Sequence, residues 1–164
     1  MKKILLVLIM AVVIVFIFSF SQGKKDIRNN KIISESEFVT IFENGQEITY
    51  KDKYTIFNSN GNVVEETEFH KNGSIKRKET NKFNSFNDKT EEIVFEAKEG
   101  KTKKTTFEYN AKGQKTIETD YSSDGSVKKI MEYSYDSKGF KTEKKTFDPQ
   151  KKLISIRKYQ YSKN

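Results

Sequence analysis

The chain opens on one continuous apolar block, Ile4 to Phe20, broken only by Ser19. Beyond it the pattern changes completely. Large aromatic residues recur singly among polar ones, at Phe57, Phe69, Phe83, Phe95, Tyr109, Tyr121, Tyr135, Phe147 and Tyr161, with gaps that alternate between 12 and 14. Four residues after most of them stands glycine: Gly61, Gly73, Gly113, Gly125 and Gly139. Asn87 takes that place once, Glu99 holds it ahead of Gly100, and Lys151 holds it after Pro149. The unit is therefore 26 residues long, carries two turns, and repeats four times over residues 57–160. A fixed period of this length signals an array of one supersecondary unit.

Each turn reads aromatic, polar, two variable residues, then Gly. That order suits a type I turn closed by a left-handed residue, which glycine supplies without a Cβ penalty. Such a loop ends in a bulge and joins antiparallel strands. The segments between turns, such as 115–121 and 141–147, are about seven residues long and rich in Thr, which reads as strand. The expected fold is all-β: an antiparallel hairpin-repeat meander of about ten strands, a single-layer or slowly curling sheet. Three parts follow: a signal or anchor segment at 1–23, a polar tether at 24–36, and the hairpin-repeat domain at 37–164. If the register simply continues along each hairpin, Tyr135 faces Lys141 and Tyr133 faces Glu143. Phe95 then faces Lys101 and Arg77, Tyr121 faces Lys103, and Phe147 faces Lys129. All the repeat aromatics, being odd-numbered, are then expected on one face, with a solvated even face behind them.

Composition sharpens this picture. After residue 21 the apolar residues are few, 18 of 39 being Phe or Tyr, and Leu153 is the only leucine. That is too little for a two-layer core, so cross-strand pairs at about 0.2–1 kcal/mol each are expected to carry the sheet. There is no cysteine, which removes disulfides, thiolate metal sites and thiol nucleophiles.

Lys2 and Lys3 precede the apolar block, and small residues at Ser19, Ser21 and Gly23 offer a cut before Gln22 or Lys24. This is the layout of a secretory signal peptide and predicts export to the periplasm, cell surface or medium. An uncleaved membrane anchor through residues 4–20 is the alternative, since 17 helical residues span about 26 Å. Lys24, Lys25, Arg28 and Lys31 behind the block favour that flank staying inside.

Catalytic chemistry finds little purchase. His70 is the only histidine and sits at a turn without a second nitrogen ligand. Glu65-Glu66 and Glu91-Glu92 hold equivalent places in successive units, but adjacent strand residues point to opposite faces. Glu65 and Glu91 share a face two strands apart, with open sheet between them, unlike a glycosidase couple. The Asn- and Asp-rich turns lack the closing Glu of a calcium loop, and turn chemistry explains them. The expectation is a non-enzymatic protein with no catalytic, metal or cofactor site.

Charge is distributed unevenly. Residues 24–100 carry 13 basic and 15 acidic side chains; residues 101–164 carry 16 and 8. Basic residues interleave with tyrosines in the second half, and the candidate binding surface is Lys103, Tyr109, Lys115, Tyr121, Lys129, Tyr133, Tyr135, Lys141, Tyr159 and Tyr161. A cationic-aromatic strip of this kind suits a polyanion. The competing reading is that lysines keep a bare sheet soluble and blunt its edges. Export argues against nucleic acid and for an envelope polymer, an anionic lipid headgroup or another protein.

Tyr135-Asp136-Ser137-Lys138-Gly139 and Tyr109-Asn110-Ala111-Lys112-Gly113 resemble the YD repeats of RHS-type bacterial surface proteins, over residues 57–161. The Arg that usually follows the Gly is Gln114 or Phe140 here. Phe69-His70-Lys71-Asn72-Gly73-Ser74-Ile75-Lys76 is similar to the MORN-variant repeats of antitoxin-component-like proteins, without their Gly-x-Trp element. The first resemblance implies an extracytoplasmic β-repeat structure with no catalysis of its own. The second implies an inhibitor or immunity partner. The functional expectation is an exported binding or structural module of the cell envelope, with the inhibitor and the polyanion binder as alternatives.

Overall fold

The structure is a computed structural model that describes residues 23–162. The expected signal or anchor helix lies outside the described residues. Among the described residues no helix is long and apolar enough to cross a membrane. A short helix, α1 (Lys24–Asn29), is followed by ten strands: β1 (Ser34–Glu43), β2 (Gln46–Phe57), β3 (Val63–Phe69), β4 (Ile75–Phe83), β5 (Lys89–Glu96), β6 (Lys101–Tyr109), β7 (Lys115–Tyr121), β8 (Val127–Tyr135), β9 (Lys141–Phe147) and β10 (Leu153–Lys158). They form one antiparallel sheet in strict sequence order, a meander that does not close on itself.

Residues 24–36, expected as a tether, instead hold α1 and the start of β1. Ile27 is 2 % exposed, and the Phe57 amide donates to the Ile33 carbonyl, so this segment belongs to the folded unit. α1 rests on the β2–β3 turn at Gly61. A Cβ there would lie 2.5 Å from the Lys24 carbonyl oxygen, and its φ of +74° is a conformation that other residues resist.

The turns repeat one device. The Asn58 side-chain oxygen accepts from the amides of Asn60 and Asn62. Asn84, Asn110 and Asp136, each 26 residues further on, do the same for their own loops. A short side-chain acceptor that fixes its own loop is the reason Asn and Asp sit there.

A second device was not legible as such. Where Phe57 meets Val63 the ladder runs without a gap, but Ile56 then meets Glu65, so Val64 is extra. The same shift leaves Lys76, Thr90, Thr116, Lys128, Thr142 and Ile154 unpaired, each second in its strand. A bulge changes the pairing sum by one and adds local twist. The expected register therefore holds only next to the turn: Tyr135 does face Lys141, but Tyr133 faces Lys144, not Glu143. Likewise Phe95 meets Lys78 rather than Arg77, Tyr121 meets Lys104 rather than Lys103, and Phe147 meets Ile130 rather than Lys129. β5 and β6 pair without a bulge, and there the four-residue loop after Glu96 sets Phe95 opposite Thr102 rather than Lys101.

Parity alternates from strand to strand as a result. Beyond the bulges one face, here the first, carries odd residues of β4, β6 and β8 and even residues of β5, β7 and β9. Lys89, Lys115 and Lys141, on the turn side of their bulges, stand beside the first-face aromatics they pair with. The aromatics divide accordingly. Phe83, Tyr109 and Tyr135 lie on the first face; Phe95, Tyr121 and Phe147 lie on the second.

No large side chain is fully buried among the described residues, and the buried apolar set is Ile27, Met131 and Tyr133. Buried Thr55, Thr67 and Asn81 show that much of what is covered is polar. Cohesion comes from the backbone ladder, the cross-strand pairs and a tyrosine staple. The Tyr109 hydroxyl donates to the Lys89 carbonyl, Tyr135 to Lys115 and Tyr161 to Lys141, each 20 residues back and 2.8–2.9 Å away. Each bond ties one hairpin to the preceding strand at the same edge of the sheet. One unit earlier Phe83 has no hydroxyl, and the Asn81 amide reaches the Val63 carbonyl at 3.2 Å in its stead.

Candidate functional site

The first face changes character along the array. Over β3–β5 it is a compensated ion network. Arg77 lies 2.6 Å from Glu79 and 3.3 Å from Glu96, with Glu66 and Glu68 within 4.0 Å. Lys89 joins it through Glu92 at 2.7 Å and Glu79 at 3.5 Å. Burial alone would raise the Glu79 carboxyl, but hydrogen bonds from Arg77 and Asn81 and the charge of Lys89 hold it below its ordinary value. With Lys53 on Glu66 and Lys76 on Glu68, four cations meet five carboxylates, so no cation is left free to recruit an anion.

Over β7–β10 the balance tips. The Tyr133 ring, 9 % exposed, is surrounded by three ammonium groups: Lys141 at 4.7 Å, Lys115 at 4.8 Å and Lys144 at 5.5 Å from its centroid. Cations over a ring face are attracted by its quadrupole, by about 0.5–1 kcal/mol at wet sites. Lys115 also lies 5.2 Å from Phe107, and Lys141 5.5 Å from Tyr159. Burial and a hydrogen bond to Glu118 at 2.8 Å push the Tyr133 hydroxyl up, so it stays protonated and donates. The same carboxylate pairs with Lys115.

Lys144 differs from its neighbours. Like Lys141 and Arg157 it forms no ion pair among the described residues, whereas Lys115 has Glu118 and Lys129 has Asp120 at 3.0 Å. What sets it apart is that it is also partly buried. It stands between Tyr133 and Arg157 in the ladder. Burial pushes its ammonium below the ordinary lysine range, and Arg157, Lys129 and Lys115 add repulsion that Glu118 opposes. An ammonium that is partly desolvated, crowded by like charge and short of a carboxylate gains most from an incoming anion.

The ten residues expected from sequence do not all share this place. Lys115, Lys129, Tyr133, Lys141 and Tyr159 gather on the first face of β7–β10. Lys103 is on the same face but is paired with Glu99 at 3.3 Å near the β5–β6 turn. Tyr121 points to the second face, where Lys104 lies 5.6 Å from its ring. Tyr109, Tyr135 and Tyr161 use their hydroxyls as staples. Lys144, Arg157 and Phe107 were missed, because the bulges that bring an even residue of β9 beside odd residues of β8 and β10 carry no residue signature of their own.

Both glutamate pairs are held in ion pairs. Glu65 is bound by Lys78 at 2.9 Å. Glu91 is bound by Lys82 and Lys104 at 2.6 and 2.7 Å, and those hydrogen bonds hold its carboxyl below the usual range. His70 is exposed on its turn. No group of acidic or histidine side chains suited to a metal ion occurs among the described residues.

No family model matches the chain, and no curated protein matches it. Among solved structures the chain is similar to a crystal structure of TarM, at 17 % identity and a TM-score of 0.32, over 79 % of this chain and 22 % of that one. It is also similar to a GtfA/B complex bound to UDP and GlcNAc, at 14 % identity and a TM-score of 0.23, over 75 % and 24 %. The chain thus spans about a quarter or less of the proteins it resembles. Likenesses this slight carry no argument about activity.

Proposed function

We propose that this protein is a non-enzymatic binding module of the cell envelope, and that its first face over β7–β10 takes an anionic polymer. The observation that carries the reading is Lys144, crowded by Arg157, Lys129 and Lys115 and short of a carboxylate. Export, expected from the apolar block of residues 4–20, places an extracytoplasmic polymer within reach. An open sheet suits an extended ligand, since repeats along one direction present a long surface rather than a closed pocket.

The test is binding of inorganic polyphosphate to the full chain in mild detergent, followed by fluorescence anisotropy at two salt concentrations. Lys144→Gln with Arg157→Gln is expected to weaken binding about tenfold and to flatten its salt dependence. The same substitutions at Lys53 and Lys78, in the compensated half, are expected to change little. Equal loss from both pairs would mean that general positive charge, not this site, holds the polymer. Undiminished binding in the Lys144 and Arg157 variant would reject the reading outright. Vesicles containing anionic lipid, run beside polyphosphate, separate a headgroup ligand from a polymer.

A further inference from the structure

The two edges of the sheet are unlike each other and complementary. β1 carries Glu35, Glu37 and Glu43 and no basic residue, with Phe38 and Phe42 exposed. β10 carries Arg157 and Lys158 and no acidic residue, follows Lys151 and Lys152, and exposes Leu153, Ile154 and Ile156. No described residue hydrogen-bonds to the outer side of either strand. Unpaired edge strands with exposed apolar side chains are templates for another chain. We propose that copies of this protein join head to tail, β10 of one copy against β1 of the next, and extend the sheet into a filament.

Three features favour this occupant. The sheet has an even number of strands, ten, so β10 runs antiparallel to β1. A copy shifted along the sheet therefore presents its β1 antiparallel to the neighbour's β10, with the same faces aligned. Like edges repel, acidic β1 from acidic β1 and basic β10 from basic β10, whereas unlike edges attract. The join is then heterologous and does not close, which yields a chain of copies rather than a pair.

The repeat also supplies the register. β9 begins at Lys141, 104 residues or four units after Glu37, so β1 stands where the next strand after β10 would begin. In the β8–β9 pair Ile130 meets Phe147, Met131 meets Thr146, Glu132 meets Lys145 and Ser134 meets Glu143. Carried one unit on, Ile156 meets Glu43 of the next copy, Arg157 meets Phe42, Lys158 meets Ile41 and Gln160 meets Val39. Arg157 then covers an exposed aromatic ring, and Lys158 lies diagonal to Glu43, an exposed carboxylate already paired with Lys71 of its own chain at 2.5 Å that a second ammonium would share.

The absence of native cysteine makes the test clean. Val39→Cys and Gln160→Cys in one full-length chain, treated in the producing cells with a short bismaleimide, are expected to give a ladder of dimers, trimers and higher species on denaturing gels. Either substitution alone is expected to stay monomeric. Dimers from a single substitution would show like edges pairing and overturn the proposal. A faster-migrating, internally bridged monomer would show the sheet closing on itself and overturn it equally, as would no crosslinking in the double variant. Glu37→Lys with Glu43→Lys is expected to reduce the ladder at least tenfold, and Arg157→Glu with Lys158→Glu in the same chain to restore it. A ladder indifferent to both would remove charge pairing as the basis of the join.

Discussion

Replacing Tyr135 by Phe removes one hydroxyl and nothing else. The lost bond runs 2.8 Å to the Lys115 carbonyl and ties the β8–β9 hairpin to β7. Tyr135 is half-buried and burial raises its hydroxyl above the ordinary range, so the bond is shielded from water in part. A typical intramolecular hydrogen bond is worth about 0.5–1.5 kcal/mol net. Tyr109→Phe is expected to cost about the same, and Tyr161→Phe less, since Tyr161 is 59 % exposed. The staples lie a full repeat apart and share no partner, so their losses should add to roughly 2–3 kcal/mol in the triple variant. For a domain of this size that lowers Tm by about 5–10 °C. Thermal melts followed by circular dichroism read the total. Hydrogen exchange of the peptide around residues 136–142 reads whether the loosening is local to the stapled hairpin. A triple variant that melts within 1 °C of the parent would refute the staple as a source of cohesion. It would leave the backbone ladder and side-chain packing to hold adjacent hairpins together.

Gly61→Ala forces a Cβ to within 2.5 Å of the Lys24 carbonyl at a positive φ, and is expected to release α1, seen as faster exchange over residues 24–32 without loss of the sheet. Acid should weaken the fold through Glu79 and Glu91, whose folded values lie below the ordinary 4.5. The stability they contribute is full above that value and is lost as pH falls through their lowered folded pKa, which melts taken between pH 6 and pH 2 would show. Lys144 runs the other way, because its ammonium is disfavoured by folding. Lys144→Met is therefore expected to raise Tm at pH 7 while weakening polyphosphate binding, and a variant that lost both would show that Lys144 serves packing rather than a ligand.

The chain by itself determined the strands, the turns and their order. Aromatics at 12 and 14 residues, most with Gly or Asn four places later, mark the hairpins, because a tight turn needs a left-handed residue, and in most of them a side-chain acceptor, where the array reverses. The pairs nearest most turns, such as Tyr109 with Lys115, followed directly, the β5–β6 turn excepted. What the tertiary structure alone decided is which residues share a face. The extra residue at Thr142 is an ordinary threonine in sequence, yet it moves Lys144 opposite Tyr133 and sets β9 one residue out of step with β8. Bulges of this kind arise from twist and pairing over two strands at once, and no single segment encodes them. The basic half of the chain was visible from its charge count. Its resolution into lysines held by carboxylates and a partly buried, crowded Lys144 without one required the neighbouring strands to be in place.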